Sequence, residues 1–448
     1  ISWRPTPPAG PIDDTMKRIC QPLLLTALCL VVLSACSFLD LHHHKNRIFK
    51  YTAPRDAQWS GYGIGSSPVV AGNKVLYIAG YHWQNRVYLF VIDQNTGKEI
   101  WHSKEPVKNF EVSGDLVIAT TRTPIQNLNP GKERTIELIC YDLKNGDVLW
   151  RKPSSVQQFE PRIIGAGANF YFWMPGFEVY ALDKQTGELR WRIQKDSPDS
   201  PMGISTIIAD GDTIYSATPG DSLLVFDGTK RETKNVFSME KVEANLVTGM
   251  ILLEGKIAAM DERNGFWLLD PQTGSILFHE SSGVTGRSLY LKGARLCYAR
   301  GKTLHCINLE NGTELWQKSF PNKITNPALI SDNHLYQGTT GSDPHFYCLD
   351  LTDGHIVWKT ETGSIRGNAV EKNGVVYLSS QKEFLALSGD TGEILWRSAP
   401  DQYEPAAGPV LGDDKILFVG QDSNLYGYKL LEKPGTKSSS ATGSRGEN

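Results

Sequence analysis

The stretch Val179-Tyr180-Ala181-Leu182-Asp183-Lys184-Gln185-Thr186-Gly187-Glu188-Leu189-Arg190-Trp191 decides the fold. Its first four residues read as a strand, Asp183 to Gly187 as a turn, and Leu189 to Trp191 as the start of a returning strand. Glycine suits a turn that needs positive φ, and the Asp carboxylate can accept hydrogen bonds from backbone amides across it. The closing Trp is a large apolar wedge for packing one sheet on the next. The same spacing recurs: Asp, Asn or Ser, then Gly four residues later, then Trp or Phe eight residues later. Besides Asp183-Gly187-Trp191, the instances are Asp93-Gly97-Trp101, Asp142-Gly146-Trp150, Asp270-Gly274-Phe278, Asn308-Gly312-Trp316, Asp350-Gly354-Trp358 and Ser388-Gly392-Trp396. A worn copy, Leu223-Leu224-Val225-Phe226-Asp227, lies between Trp191 and Phe278, with Phe237 as its aromatic. Successive aromatic slots are 38 to 49 residues apart, a period that marks propellers or solenoids.

Each period holds four short strand signals. In the first, Pro68-Val69-Val70 meets a turn at Ala71-Gly72-Asn73, Lys74 to Ala79 follows, then Val87 to Asp93, then Lys98 to Trp101. Repeated four-stranded sheets around an axis predict an all-β chain folded as a β-propeller, which protects its sheet edges by radial repetition. A straight solenoid is the alternative, but it would need polar capping units that the sequence does not offer. Gly408 to Leu430 supplies three strands without a fourth, while Gln58-Trp59-Ser60 is a lone fourth-strand signature ahead of the first unit. Joining them closes the ring with strands from both termini. The propeller is thereby placed at residues 59–430, with eight or nine blades.

Composition agrees. Hydrophobic residues make up 40% and charged residues 21% of the 448, enough for a packed core and against wholesale disorder. With 46 basic and 49 acidic residues, no basic field draws the chain to nucleic acid.

The N-terminal segment reads as an address. Residues 1–15 are Pro-rich and are set aside as an upstream extension. From Met16, Lys17 and Arg18 form a positive flank, Ile19 to Val32 is mostly apolar, and small residues precede Cys36, so residues 16–35 read as a signal peptide. Leu33-Ser34-Ala35-Cys36 resembles the bacterial lipobox, whose cysteine becomes the acylated N-terminus and a membrane anchor. Residue 37 is Ser rather than the Asp that retains enterobacterial lipoproteins at the inner membrane, which implies the periplasmic side of an outer membrane. Residues 36–58 then form the anchor and tether. His42, His43 and His44 lie within it, with no partner ligand at fixed spacing. Residues 431–448, rich in Ser, Gly and Lys, read as a disordered tail.

The repeat resembles the tryptophan-docking repeat of the PQQ-dependent quinoprotein propellers. Coupled to a lipobox, it makes residues 33 to 430 similar to the BamB family of outer-membrane lipoproteins. That resemblance implies a non-enzymatic scaffold in β-barrel protein assembly, a BamA-like barrel insertase as partner, and a monomer. In the family a Leu-x-Leu-Arg-Gly segment after the third repeat contributes to partner binding. The corresponding stretch here, Ser197-Pro198-Asp199-Ser200-Pro201-Met202-Gly203, lacks it, so no binding residues are carried over.

Two other functions stay open: a PQQ- and Ca²⁺-dependent quinoprotein-type dehydrogenase or cofactor binder, and a surface ligand-binding propeller. The enzyme would need oxygen ligands converging on the axis, whereas most Asp residues here belong to the repeated turn. Those enzymes typically carry a disulfide between adjacent cysteines, and this chain has no Cys-Cys pair. No catalytic residue, cofactor or metal is therefore assigned. Gly61-Tyr62-Gly63-Ile64-Gly65 leads into another strand through Ser66-Ser67-Pro68, so it is a loop and not a nucleotide fingerprint.

Cys20 and Cys29 fall in the signal. Cys140, Cys306 and Cys348 each stand two residues before the repeat's Asp or Asn, where other units have Ala181 and Ala386, and read as small buried strand residues. Cys297 lies opposite Cys306 across a hairpin turning at Gly301-Lys302, so an oxidising compartment could join them. Directly opposed Cβ atoms average about 4.5–5.5 Å apart while a disulfide prefers ~3.8 Å, which would strain such a bridge.

Overall fold

The structure, a computed structural model, describes residues 47–52, 68–81, 86–122, 136–154, 162–174, 178–194, 207–218, 222–228, 232–238, 247–261, 264–342, 344–398 and 404–432. Among them 36 strands, and no helix, form nine four-stranded antiparallel sheets. Blade 1 consists of Val69–Ala71, Lys74–Tyr81, Arg86–Asp93 and Glu99–His102. Blades 2 to 8 repeat this meander over residues 107–154, 162–194, 207–238, 247–280, 284–319, 323–361 and 370–397. Blade 9 is composite: Val410–Leu411, Lys415–Val419 and Asn424–Lys429, with Arg47–Thr52 as its fourth strand.

The sheets are buried on both faces, so alternate residues of one strand serve two different cores. In Lys74–Tyr81, Leu76 and Ile78 join Val117 and Tyr141 of blade 2, whereas Val75 and Tyr77 join Leu417 and Leu425 of blade 9. Each consecutive pair of blades shares one such apolar cluster, and blade 9 packs on both blade 8 and blade 1, so the cycle closes. First strands of neighbouring blades touch, which places them around the axis and the fourth strands outside. The all-β propeller expected from the period is the architecture found.

Two boundaries differ from the sequence expectation. The strand that completes blade 9 is Arg47–Thr52, paired with Asn424–Lys429 through Lys50 opposite Tyr426. The expected Gln58-Trp59-Ser60 lies outside the described residues. Four of its six residues, Ile48, Phe49, Tyr51 and Thr52, are β-branched or aromatic, the residue types that favour strands. The propeller thus starts at 47, not 59. At the other end, Leu430 and Leu431 pack on the blade 8–9 core, and Leu431 N donates to Tyr377 Oη at 2.7 Å, so the tail begins later than 431. The remaining N-terminal segments, Cys36, the three adjacent histidines, the Gly61–Gly65 loop and Ser197–Gly203 also lie outside the described residues.

Cys140, Cys297, Cys306 and Cys348 are all fully buried. Cys297 and Cys306 are directly paired in register, Cα atoms 4.0 Å apart, and their sulfurs are bonded. Burial pushes the Cys140 and Cys348 thiols up to about 12. Both should resist alkylation at pH 8 until the protein is unfolded; rapid native modification, read by intact mass, would contradict that burial.

Candidate functional site

The repeat residues meet at the blade junctions. Trp101, Trp150, Trp191, Trp316 and Trp358 each donate the indole N–H to a backbone carbonyl of the next blade: Leu143, Lys184, Gly228, Leu351 and Gly389, at 2.8–3.1 Å. Every acceptor is the residue that follows the next unit's Asp or Ser. The rings also cover turn glycines. A Cβ on Gly146, Gly187, Gly354 or Gly392 would stand 2.5–2.6 Å from a carbon of Trp101, Trp150, Trp316 or Trp358 respectively. Gly97, Gly146, Gly187, Gly274, Gly312, Gly354 and Gly392 all have φ between 67° and 77°, the left-handed turn anticipated for them.

The fourth strand carries a bulge that the spacing did not reveal. Val91 pairs with Trp101 but Ile92 pairs with Glu99, so Ile100 is extra, and the register shifts at the same place in each of blades 1 to 8. The extra residue is pushed outward, leaving Ile100, Leu149, Leu277, Leu315 and Val357 exposed while the aromatic beside each turns inward. The residue facing the Trp across the sheet is small in five units: Cys140, Ala181, Cys306, Cys348 and Ala386.

Three junctions depart from the pattern. In worn blade 4, Phe237 sits two residues further along and opposes Leu223, yet a Cβ on Gly274 would still meet its ring at 2.0 Å. Phe278 does not reach Gly312 and packs instead on Phe266 and Tyr298. Trp396 meets blade 9, which has no Asp-to-Gly turn, so it packs on Phe418 and Tyr428 and its buried Nε1 has no hydrogen-bond partner.

The repeat Asp residues hold their own turns. Asp93 Oδ1 accepts from the amides of Asn95 and Thr96, and Asp183 Oδ1 from those of Gln185 and Thr186, at 2.8–3.0 Å. Arg190, then the Thr186 and Gln185 amides, lower the Asp183 carboxyl from its ordinary value to about 2. Because the folded value lies below the unfolded one, its contribution to stability is complete above about pH 4 and is lost as pH falls toward 2. Asp183→Asn should therefore flatten the acid limb of a denaturation-midpoint profile over that window; an unchanged limb would refute the assignment.

Among the described residues, the group of three ligand types close enough to share an ion is Asp350, Asp353 and His355. It lies on an outer turn of blade 7, where Asp350 accepts from Thr352 N and Asp353 from His355 N, and not around the axis.

An open cleft of about 870 Å³ lies where blades 2, 3 and 4 meet, on the face carrying the Asp-to-Gly turns. Glu111, Asp115, Asp142, Leu149 and Lys184 line it. Lys184 is 9% exposed, and its ammonium donates to Ser113 Oγ at 2.6 Å and Gly167 O at 2.7 Å, tying blade 2 to blade 3. Burial pulls the Lys184 ammonium below its usual range, while Asp212 and Glu111 oppose that effect. Burial pushes the Glu111 carboxyl up, against a hydrogen bond from the Gly165 backbone amide and the Lys184 charge. Of these residues the sequence singled out only Asp142, as the Asp of a repeat turn. The signal it offered was Lys184 at a position where Leu143 and Leu351 stand in other units.

The family model for outer membrane protein assembly factor BamB matches residues 51–280, 268–368 and 300–432. Outer membrane protein assembly factor BamB of Burkholderia pseudomallei (strain K96243) is 24% identical over 431 residues, covering 93% of this chain and 99% of its own length. The protein of the same description from Yersinia pestis is 22% identical over 275 residues, 55% of this chain and 68% of its own. Among solved structures, quinohemoprotein alcohol dehydrogenase from Comamonas testosteroni superposes with a TM-score of 0.50 at 13% identity, covering 87% of this chain and 77% of that one, a likeness of fold alone. With the match running from residue 51 to residue 432, the chain belongs to the family of outer membrane protein assembly factor BamB.

Proposed function

We propose that this protein is a non-enzymatic scaffold in outer-membrane β-barrel assembly, anchored through acylated Cys36 on the periplasmic side of the outer membrane and binding a BamA-like barrel insertase as a monomer. The observation that carries this reading is the match to an assembly-factor family over residues 51–432, with a relative of that description aligned along nearly its whole length. The site chemistry is in keeping with it. The repeated carboxylates hold turns and the repeated indoles hold blades together, so these residues build a rigid ring and leave its loops for partners. Leu33-Ser34-Ala35-Cys36 behind Lys17 and Arg18 supports the anchor.

Capture of the native lipoprotein after crosslinking should recover a barrel insertase, and Cys36→Ser should release the protein from the membrane fraction. Consistent recovery of unrelated partners would remove the assembly role. Titration with PQQ and Ca²⁺ should give no saturable absorbance change; a saturable change would favour the cofactor-binding alternative. Proteolysis of intact cells should leave the protein uncut, whereas cleavage would favour the surface ligand-binding alternative.

A further inference from the structure

We propose that the cleft between blades 2, 3 and 4 docks a segment of a partner protein that presents a Lys or Arg side chain beside an apolar one. The inference rests on the scaffold reading above and adds to it a contact surface and the chemistry of what lands there.

The cleft has a local cause. In blade 2 and blade 7 the residue after the repeat Asp is Leu143 or Leu351, 6% and 1% exposed, and it fills the junction. Blade 3 has Lys184 there and blade 4 has Gly228. The Lys184 ammonium is held by Ser113 Oγ and Gly167 O, so its slim stem lines the cleft where a branched leucine would fill it. Glycines at 114, 165, 167 and 211 keep the walls low.

Its charge selects the ligand. Glu111, Asp115 and Asp142 line the cleft, and Asp212 lies against Gly167, where a Cβ would meet its Oδ1 at 1.9 Å. Against these four carboxylates stands the Lys184 ammonium, whose two hydrogen bonds go to neutral oxygens. The resulting field is negative, which repels phosphate-bearing polymers and anionic lipid surfaces and attracts a guanidinium or ammonium. Burial of Glu111 outweighs the nearby Lys184 charge and the Gly165 amide, and an incoming cation would offset that burial further. Leu149, 43% exposed because the fourth-strand bulge turns it outward, offers apolar surface for the stem of such a side chain or for its neighbour.

The test uses the full chain and a fluorescein-labelled peptide, Gly-Leu-Arg-Leu-Gly, followed by anisotropy at low and physiological salt. Saturable binding that weakens with salt is expected. It should be about tenfold weaker for Gly-Leu-Gln-Leu-Gly, and about tenfold weaker for the Glu111→Gln, Asp115→Asn double variant. Asp115→Asn alone changes only an exposed turn and should give a smaller loss with an unchanged near-UV circular dichroism spectrum. Equal binding of the two peptides, or no loss in either variant, overturns the proposal. The assembly reading is tested separately. If the wild-type chain binds the Arg peptide but never captures an insertase, the cleft stands and the assembly role falls. If it captures an insertase but does not distinguish the peptides, the reverse holds.

Discussion

Trp316→Ala should lower stability by about 3–5 kcal/mol in denaturant-melting experiments, among the largest single-residue effects in the ring. The substitution empties the space over Gly354, and it leaves the Leu351 carbonyl of blade 7 without its indole donor. The partner glycine sharpens the test. Gly354→Ala puts a Cβ 2.5 Å from the Trp316 ring at φ 72°, so close contact and left-handed strain combine, at about 2–4 kcal/mol. Gly312→Ala, at φ 69° but with nothing within 4 Å of its Cβ, should cost only the backbone term, about 1 kcal/mol. In the Trp316→Ala background, Gly354→Ala should fall to that smaller value, giving a coupling energy of about 1–3 kcal/mol. Strictly additive costs would show that the two residues do not act as one contact.

Deleting residues 47–52 should open blade 9. The strand pairs over five positions with Asn424–Lys429, so its loss forfeits roughly five backbone hydrogen bonds, on the order of 5 kcal/mol, and turns a covered strand into an exposed edge. A lower denaturation midpoint and concentration-dependent aggregation by light scattering are expected. Shortening the chain only to residue 46 should change neither. If both truncations behave alike, the ring is not closed by Arg47–Thr52. Trp396 makes this region a weaker junction already, since its indole N–H finds no carbonyl on blade 9. Trp396→Ala should therefore cost less than Trp316→Ala.

Much of this was legible in the chain because the repeat encodes contacts that are local or one unit away. The Asp hydrogen-bonds amides two and three residues on, and the Gly adopts its positive φ within the same turn. Phe237 could be recognised as an aromatic slot despite its shifted spacing, because a displacement of two residues keeps a strand side chain on the same face. The closing strand could not be located the same way. Gln58-Trp59-Ser60 matched the repeat's lettering, but selection of Arg47–Thr52 depends on a partner, Asn424–Lys429, more than 370 residues away. The cleft was hidden for a related reason. Lys184 reads as an ordinary turn lysine until blades 2, 3 and 4 bring Ser113, Gly167 and the carboxylates of Glu111 and Asp212 near it.

By itself, then, the sequence determined the unit: four strands, an Asp-to-Gly turn and an aromatic wedge, repeated at a nearly constant period. Side-chain alternation and turn chemistry act over a few residues, so they are written wherever those residues occur. The tertiary structure decided how many sheets stand in the ring, which terminal strand closes it, which indoles find a carbonyl, and where an acidic cleft opens. Each of those depends on the volume and polar groups that a neighbouring blade presents, and that neighbour exists only once the ring has closed.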